Sequence, residues 1–165
     1  MRLVLRRREI VVDEWPHFDA ACAAATNADA VIVPLAEVRA NAQTWTARPG
    51  RLGLRIGPAD KVEDLAADLG RYALIAVEFP APTEGRGYTQ GRLLRSRFGF
   101  AGELRALGAA VKRDLIFALA RCGFDTFEIA PGEDLEACVQ ALGRYTVAYQ
   151  PGAPLASVAR QRFFA

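Results

Sequence analysis

Short apolar runs at residues 3–5 and 10–12 flank Arg6-Arg7-Arg8 and are closed by Asp13-Glu14. Two such runs around a polar turn predict an N-terminal β-hairpin or edge ribbon. Past an Ala-rich piece at residues 19–25, short apolar runs alternate with helical spacing, the signature of βα units. Strands are predicted at 31–33 (ended by Pro34), 52–56, 73–79, 103–107 and 125–129. Between them, helical stripes run through Leu35, Val38, Ala42 and Trp45, and through Val62, Leu65, Ala66 and Leu69 behind a cap at Asp60. A further helix spans 87–98 with Gly91, Leu94 and Phe98 on one face. The next carries Val111, Leu115, Ala118, Leu119 and Cys122, leaving Ile116 and Phe117 off the stripe, and the last carries Leu135, Cys138, Val139 and Leu142. Residues 146–149 read as a final strand, and the break at 150–154 releases a tail ending in Phe163-Phe164. The organisation is one α/β domain over 1–150 and a docking tail over 151–165.

Parity within the middle strands separates two faces. One carries Leu52, Leu54, Ile56, Ile75, Val77, Leu104, Ala106, Phe127 and Ile129 and is fit to pack under helices. The other mixes small residues with charge: Gly53 and Arg55, Ala76 and Glu78, Glu103 and Arg105, Thr126 and Glu128. Arg55, Glu78, Arg105 and Glu128 recur one per strand at intervals of 23, 27 and 23 residues, the length of a compact βα unit. A sheet covered on both faces would have near-continuous apolar strands. The alternation predicts instead a mostly parallel sheet in an incomplete, (β/α) barrel-like arrangement, with an open flavodoxin-like sheet as the alternative. A full eight-stranded barrel typically needs ~200 residues or more, and this chain has 165.

The four recurring charges admit two readings. In one, Arg55 and Arg105 bind a small anionic ligand while Glu78 and Glu128 exchange a proton; in the other, they form an internal ion-pair network. The long connection after Glu78 adds Gly85, Arg86, Gly87 and Tyr88, where backbone amides at a helix start can approach an anion. An ordinary turn and cap is the alternative there. The Gly85, Gly87, Gly91 spacing is a poor dinucleotide-binding match. Asp114, in a first helical turn, either orients Arg105 or serves the helix dipole.

Composition narrows the classes. The 21 Lys and Arg exceed the 19 Asp and Glu only because of Arg2, Arg6, Arg7, Arg8, Arg160 and Arg162, so a basic nucleic-acid-reading core is disfavoured. Cys22, Cys122 and Cys138 form no CxxC, and His17 is the single histidine, which argues against zinc, disulfide and Ser-His-Asp frameworks. No apolar run approaches the ~20 residues of a membrane span. The expectation is a soluble, cytoplasmic protein with no metal. Cys122 and Cys138 fall on apolar stripes and read as packing residues.

Several co-linear blocks carry a resemblance. Phe79-Pro80, then Glu84-Gly85-Arg86-Gly87-Tyr88-Thr89-Gln90-Gly91-Arg92-Leu93-Leu94-Arg95, then Gly102-Glu103-Leu104-Arg105-Ala106 with Gly108, Val111 and Asp114, and finally Arg121-Cys122-Gly123-Phe124-Asp125 with Phe127-Glu128 resemble the bacterial domain of unknown function 934 family. Gly91 stands where Ala is expected, and Pro82 where an aromatic is common. The resemblance implies a role in sulfate assimilation, because the family is encoded beside assimilatory sulfite reductase and its members are named oxidoreductases of sulfite reduction. No motif for flavin, siroheme, iron-sulfur cluster or nicotinamide accompanies it, so no cofactor is expected. Three roles follow as expectations. The first is an oxidoreductase or accessory protein of sulfite reduction with an Arg/Glu anion pocket. The second is a non-catalytic partner docking on sulfite reductase components, or on a second copy as a homodimer, through Ile116, Phe117 and Phe163-Phe164. The third is a small enzyme using Glu78 and Glu128 as acid and base.

Overall fold

The computed structural model describes residues 2–19, 29–144 and 152. Strands β1 (Leu3–Arg6) and β2 (Glu9–Val12) form the expected hairpin, whose tight turn holds Arg7 at a left-handed φ of 57°. The chain continues through β3 (Ala30–Pro34), α1 (Leu35–Ala40), α2 (Ala42–Ala47), β4 (Arg51–Ile56), β5 (Leu74–Glu78) and α3 (Arg86–Ser96). It ends its described elements with β6 (Glu103–Leu107), α4 (Arg113–Arg121), β7 (Thr126–Phe127) and α5 (Leu135–Gly143).

The sheet order is β2-β1-β7-β6-β5-β4-β3, with β3 through β7 parallel and the hairpin antiparallel at the β7 edge. Each parallel strand lies beside its neighbour in sequence. Right-handed crossovers that always step the same way leave the helices on one face. Accordingly Leu35, Trp45, Leu94, Ile116 and Leu142 of the helices share one apolar cluster with Val31, Leu54, Ile75, Leu104 and Phe127 of the strands. The other face holds a smaller cluster of Trp15, Ala30, Ile32, Leu74 and Ala76, with no helix residue in it. This one-sided winding differs from the flavodoxin-like alternative and accounts for the alternation in the strands.

Among the described residues no continuous ladder closes the sheet, yet it curls strongly. Phe18 N donates to Ile32 O at 2.7 Å and Ile32 N to Pro16 O at 2.9 Å, so the chain just beyond β2 reaches the free edge of β3 at the far side of the sheet. The step from Val12 to His17 covers at most roughly 18 Å. A flat sheet would set those positions about seven strand spacings apart, roughly 34 Å. Residues 13–18 therefore cross the concave polar face, and Trp15 lies over Gly53, where a Cβ would come 3.2 Å from the indole.

Local differences from expectation have physical causes. The helix expected over 62–69 is two 3₁₀ turns, Val62–Leu65 and Leu69–Arg71, which still bury Val62, Leu65 and Leu69 while Ala66 is exposed. Asp60 does not cap this stretch; its carboxylate accepts from Gly57 N at 2.8 Å and closes the turn after β4. In α4 the buried stripe is Ile116 and Leu119, because the flanking Val111 and Phe124 anchor both ends in the core. Ile116 is thus core and not a docking surface. Strand β7 is short because Ala130 N turns away to Val111 O. The expected strand at 146–149, the Phe163-Phe164 tail and Cys22 lie outside the described residues.

Candidate functional site

The register sets Arg55, Ala76, Arg105 and Thr126 in one row across the polar face, with Glu78 and Leu107 in the next. The small Ala76 separates the two arginines, and their surroundings differ.

Arg105 is fully buried. Its Nε and Nη2 donate to Glu103 Oε1 at 3.1 and 2.8 Å, and its Nη1 reaches both oxygens of Asp13 at 3.0 Å and Glu128 Oε1 at 3.1 Å. Burial opposes its charge, but Glu103, Asp13 and Glu128 outweigh that and raise its pKa further. The carboxylates are shared outward: Arg6 pairs with Glu103 at 3.1 Å, Arg2 Nε donates to Asp13 at 2.7 Å, and Arg2 also approaches Glu128 at 3.5 Å. The result is a charge-compensated clamp joining β1, β6, the end of β7 and the crossing segment.

At the rim of the clamp, His17 Nε2 lies 2.9 and 3.1 Å from the two oxygens of Glu128. Burial works against ionisation of Glu128, but the His17 bond, Arg2 and Arg105 overcome it and hold the carboxyl at about 2. An ionised carboxylate only accepts, so Nε2 carries the proton. In the neutral ring Nδ1 is then the bare lone pair, and it is buried without a partner. The contact also demonstrates the curl, since His17 is bridged to β3 and Glu128 follows β7.

Arg55 and Glu78 sit apart from the clamp at the C-terminal ends of β4 and β5. They pair at 3.2 Å, each side chain about a third exposed at 32% and 34%. Glu78 is the only ionic or hydrogen-bonded partner of Arg55 among the described residues, which leaves both Nη groups of Arg55 unengaged.

The segment 84–95 has a largely structural use. A Cβ at Gly87 would come 2.5 Å from the Phe79 ring and one at Gly91 2.4 Å from the Phe124 ring, so glycine lets α3 lie directly on both aromatics. Gln90 Nε2 holds Gly57 O and Asp60 O at 2.9 and 2.8 Å. The buried Arg95 donates to Gly123 O, Phe100 O and Gly102 O and pairs with Asp125 at 3.0 Å. Burial pushes Asp125 up to about 6 against the pull of Arg95 and of the Leu104 N–H. At the helix start, Glu84 accepts from Arg86 N at 3.2 Å, so a carboxylate of the chain itself already occupies the end where Gly85 was expected to admit an anion. Arg86 is exposed, and the Tyr88 ring meets Phe79 edge-on at 5.2 Å.

Asp114 does not orient Arg105. Its side chain is 86% exposed beside Arg113 on α4, which covers the apolar face, whereas Arg105 points from the opposite face. The structure therefore brings Arg105 to Glu128 and Arg55 to Glu78, and leaves Arg86 and Asp114 at the surface. Asp13 and His17 carry no role in the strand pattern. Their one sequence signal is position in a short polar and aromatic stretch, residues 13–18, that fits neither strand nor helix. Among the described residues no cluster of three or more His, Cys, Asp and Glu is placed to hold a metal ion, and no helix is long and apolar enough to cross a membrane.

With this geometry in place, comparison with known proteins adds one finding. The model of a family described as a bacterial protein of unknown function (DUF934) matches residues 53–158, well over half of the chain. The chain belongs to the DUF934 family. No curated protein matches it. In this DUF934 protein the matched span holds Arg55, Glu78, Arg86, Arg105 and Glu128, while Arg2, Arg6, Asp13 and His17, which complete the clamp, precede it.

Proposed function

We propose that this DUF934 protein is a cytoplasmic accessory protein of assimilatory sulfite reduction that binds a small anionic metabolite at the C-terminal mouth of its curled sheet. The observation that carries the anion site is Arg55: its Nε pairs with Glu78, its side chain is about a third exposed, and among the described residues nothing is bonded to its two Nη groups. A guanidinium so oriented is suited to a bidentate oxyanion contact. Arg105 takes no part, because its donors are spent on Glu103, Asp13 and Glu128. Glu128, held at about 2, is a weak base and acts by orienting the His17 ring. The link to sulfite reduction rests on the family resemblance and on no residue of the site.

Calorimetric titration with sulfite, sulfate and phosphate tests the site. Binding that is lost in Arg55→Ala and kept in Arg86→Ala supports the reading; equal affinity in Arg55→Ala and the parent overturns it. A second reading, a non-catalytic scaffold for sulfite reductase components, is favoured by the neutralised interior and by Leu3 and Val12, which pair on the edge hairpin and are 41% and 48% exposed. Co-purification with sulfite reductase that survives Arg55→Ala and fails in Leu3→Ser/Val12→Ser would favour the scaffold.

A further inference from the structure

Where β4 and β5 end, the turn after Ile56 forms a small cradle beside Arg55. Beyond its chain neighbours, only two heavy atoms among the described residues lie within 4 Å of the place a Cβ would take on Gly57, and both are carboxylate oxygens: Glu78 Oε2 at 3.5 Å and Asp60 Oδ2 at 3.7 Å. The backbone does not require glycine here, because Gly57 is not among the glycines with a left-handed φ. What glycine provides is room in front of two acids. The turn is fixed from behind, since Asp60 Oδ2 accepts from Gly57 N at 2.8 Å and the buried Gln90 donates to Gly57 O and Asp60 O.

Glu78 faces both ways. Its Oε1 pairs with Arg55 Nε at 3.2 Å and its Oε2 fronts the cradle, so Arg55 and the cradle lie on the two sides of one carboxylate. A solute can reach these atoms: Glu78 Oε2 and both Nη groups of Arg55 have no partner among the described residues, and unlike His17 Nδ1 they keep surface open to solvent. Gly57 and Asp60 are themselves partly exposed, and Asp60 meets no cation among the described residues. One guanidinium thus stands beside two carboxylates. A bare oxyanion on Arg55 would bring more negative charge next to them, which is unfavourable at such range. A molecule with an ammonium close to its acid group satisfies both sides at once, its N–H groups donating to the carboxylates and its oxygens accepting from the guanidinium.

We propose that the mouth binds a small zwitterion of the α-amino acid class, its carboxylate on the Nη groups of Arg55 and its ammonium between Glu78 Oε2 and Asp60. The proposal rests on Arg55 as the oxyanion anchor and narrows the ligand from any small anion to one with an ammonium beside its acid group. Gly57 is then a specificity-determining position, and Gln90 is a positioning residue that holds the turn.

The test is calorimetric titration with L-alanine, L-serine, propionate, ethylamine and sulfate at constant ionic strength. The two amino acids are expected to bind saturably and about tenfold more tightly than propionate or ethylamine, the value of one hydrogen bond to a charged group. Gly57→Ala sets a methyl in ordinary contact with both acids, so it is expected not to lower the urea midpoint, to weaken the amino acids about tenfold and to leave sulfate unchanged. Asp60→Asn keeps an acceptor for Gly57 N while removing the charge, and is expected to weaken the amino acids similarly with sulfate bound at least as tightly as in the parent. Arg55→Ala is expected to abolish binding of both classes. Amino acids that bind no better than propionate, or that bind Gly57→Ala and Asp60→Asn as they bind the parent, overturn the zwitterion; sulfate binding that depends on Arg55 would then still uphold the anchor. Absence of any Arg55-dependent binding overturns both.

Discussion

Replacing Arg105 by Met tests whether the charged layer of the sheet is a clamp. The substitution keeps roughly the length of the side chain and removes a guanidinium whose partners Asp13, Glu103 and Glu128 have side chains 0%, 18% and 15% exposed. Breaking a buried ion pair from one side leaves uncompensated charge and costs about 3–5 kcal/mol. Arg2, Arg6 and His17 still face the three carboxylates from the rim, so the lower end of that range, about 3 kcal/mol, is expected at pH 7. For a domain of this size each kcal/mol shifts Tm by roughly 2–4 °C, so a fall of about 10 °C should accompany it. Urea denaturation at pH 7 and pH 4 is the assay. Without Arg105, one of the charges that hold Glu128 low, Glu128 takes up a proton more readily at the lower pH, and the deficit should shrink; Arg105→Met/Glu128→Gln should likewise recover part of it at pH 7. A variant within about 1 kcal/mol of the parent at pH 7, or a deficit independent of pH, would refute the clamp.

Other perturbations follow from the same geometry. Glu128 is held at about 2, below its ordinary 4.5, so its contribution of about 3 kcal/mol is complete above pH 4.5 and is lost as pH falls towards 2. Asp125 is raised from 3.8 to about 6, so its ionisation costs about 3 kcal/mol above pH 6, a cost relieved as pH falls from 6 towards 4. These two groups together place the stability maximum at roughly pH 4–5; urea midpoints across pH should lose the acid limb in Glu128→Gln and flatten between pH 4 and 6 in Asp125→Asn. Gly108 has φ 114° and a Cβ there would meet Phe79 O at 2.5 Å, so Gly108→Ala should destabilise by about 2 kcal/mol or more, seen as a lower urea midpoint with unchanged slope. Trp15→Ala empties the space over Gly53 and Ala76 and should cost about 3–5 kcal/mol in the same assay.

Some of this architecture was readable locally. The alternation along β4, β5 and β6 is a period-two signal that each strand carries within itself, and it separates the apolar face under the helices from the charged face without reference to strand pairing. The strand order follows almost as directly, since βα units of similar length stepping one way produce a one-sided sheet. Helix phase was less legible: Leu115 and Ile116 of α4 are equally apolar, and anchoring by Val111 and Phe124 decides which one is buried. The motif around Gly87 and Gly91 was visible as a pattern, but that it seats α3 on Phe79 and Phe124 depends on aromatics from other elements.

The partners of the charges belong to the tertiary structure alone. Arg105 and Glu128 are detectable by their spacing, yet what neutralises them is Asp13, 92 residues from Arg105, and His17, 111 residues from Glu128. Both arrive on a segment without strand or helix periodicity, and only the curl of the sheet brings it across the polar face. Local sequence therefore determined which residues share a face and that four charges stand on it. Whether each charge is spent inside the molecule or left for a ligand was decided by long-range closure, because a guanidinium reaches only as far as its hydrogen bonds and nothing in the spacing says what the fold will place there.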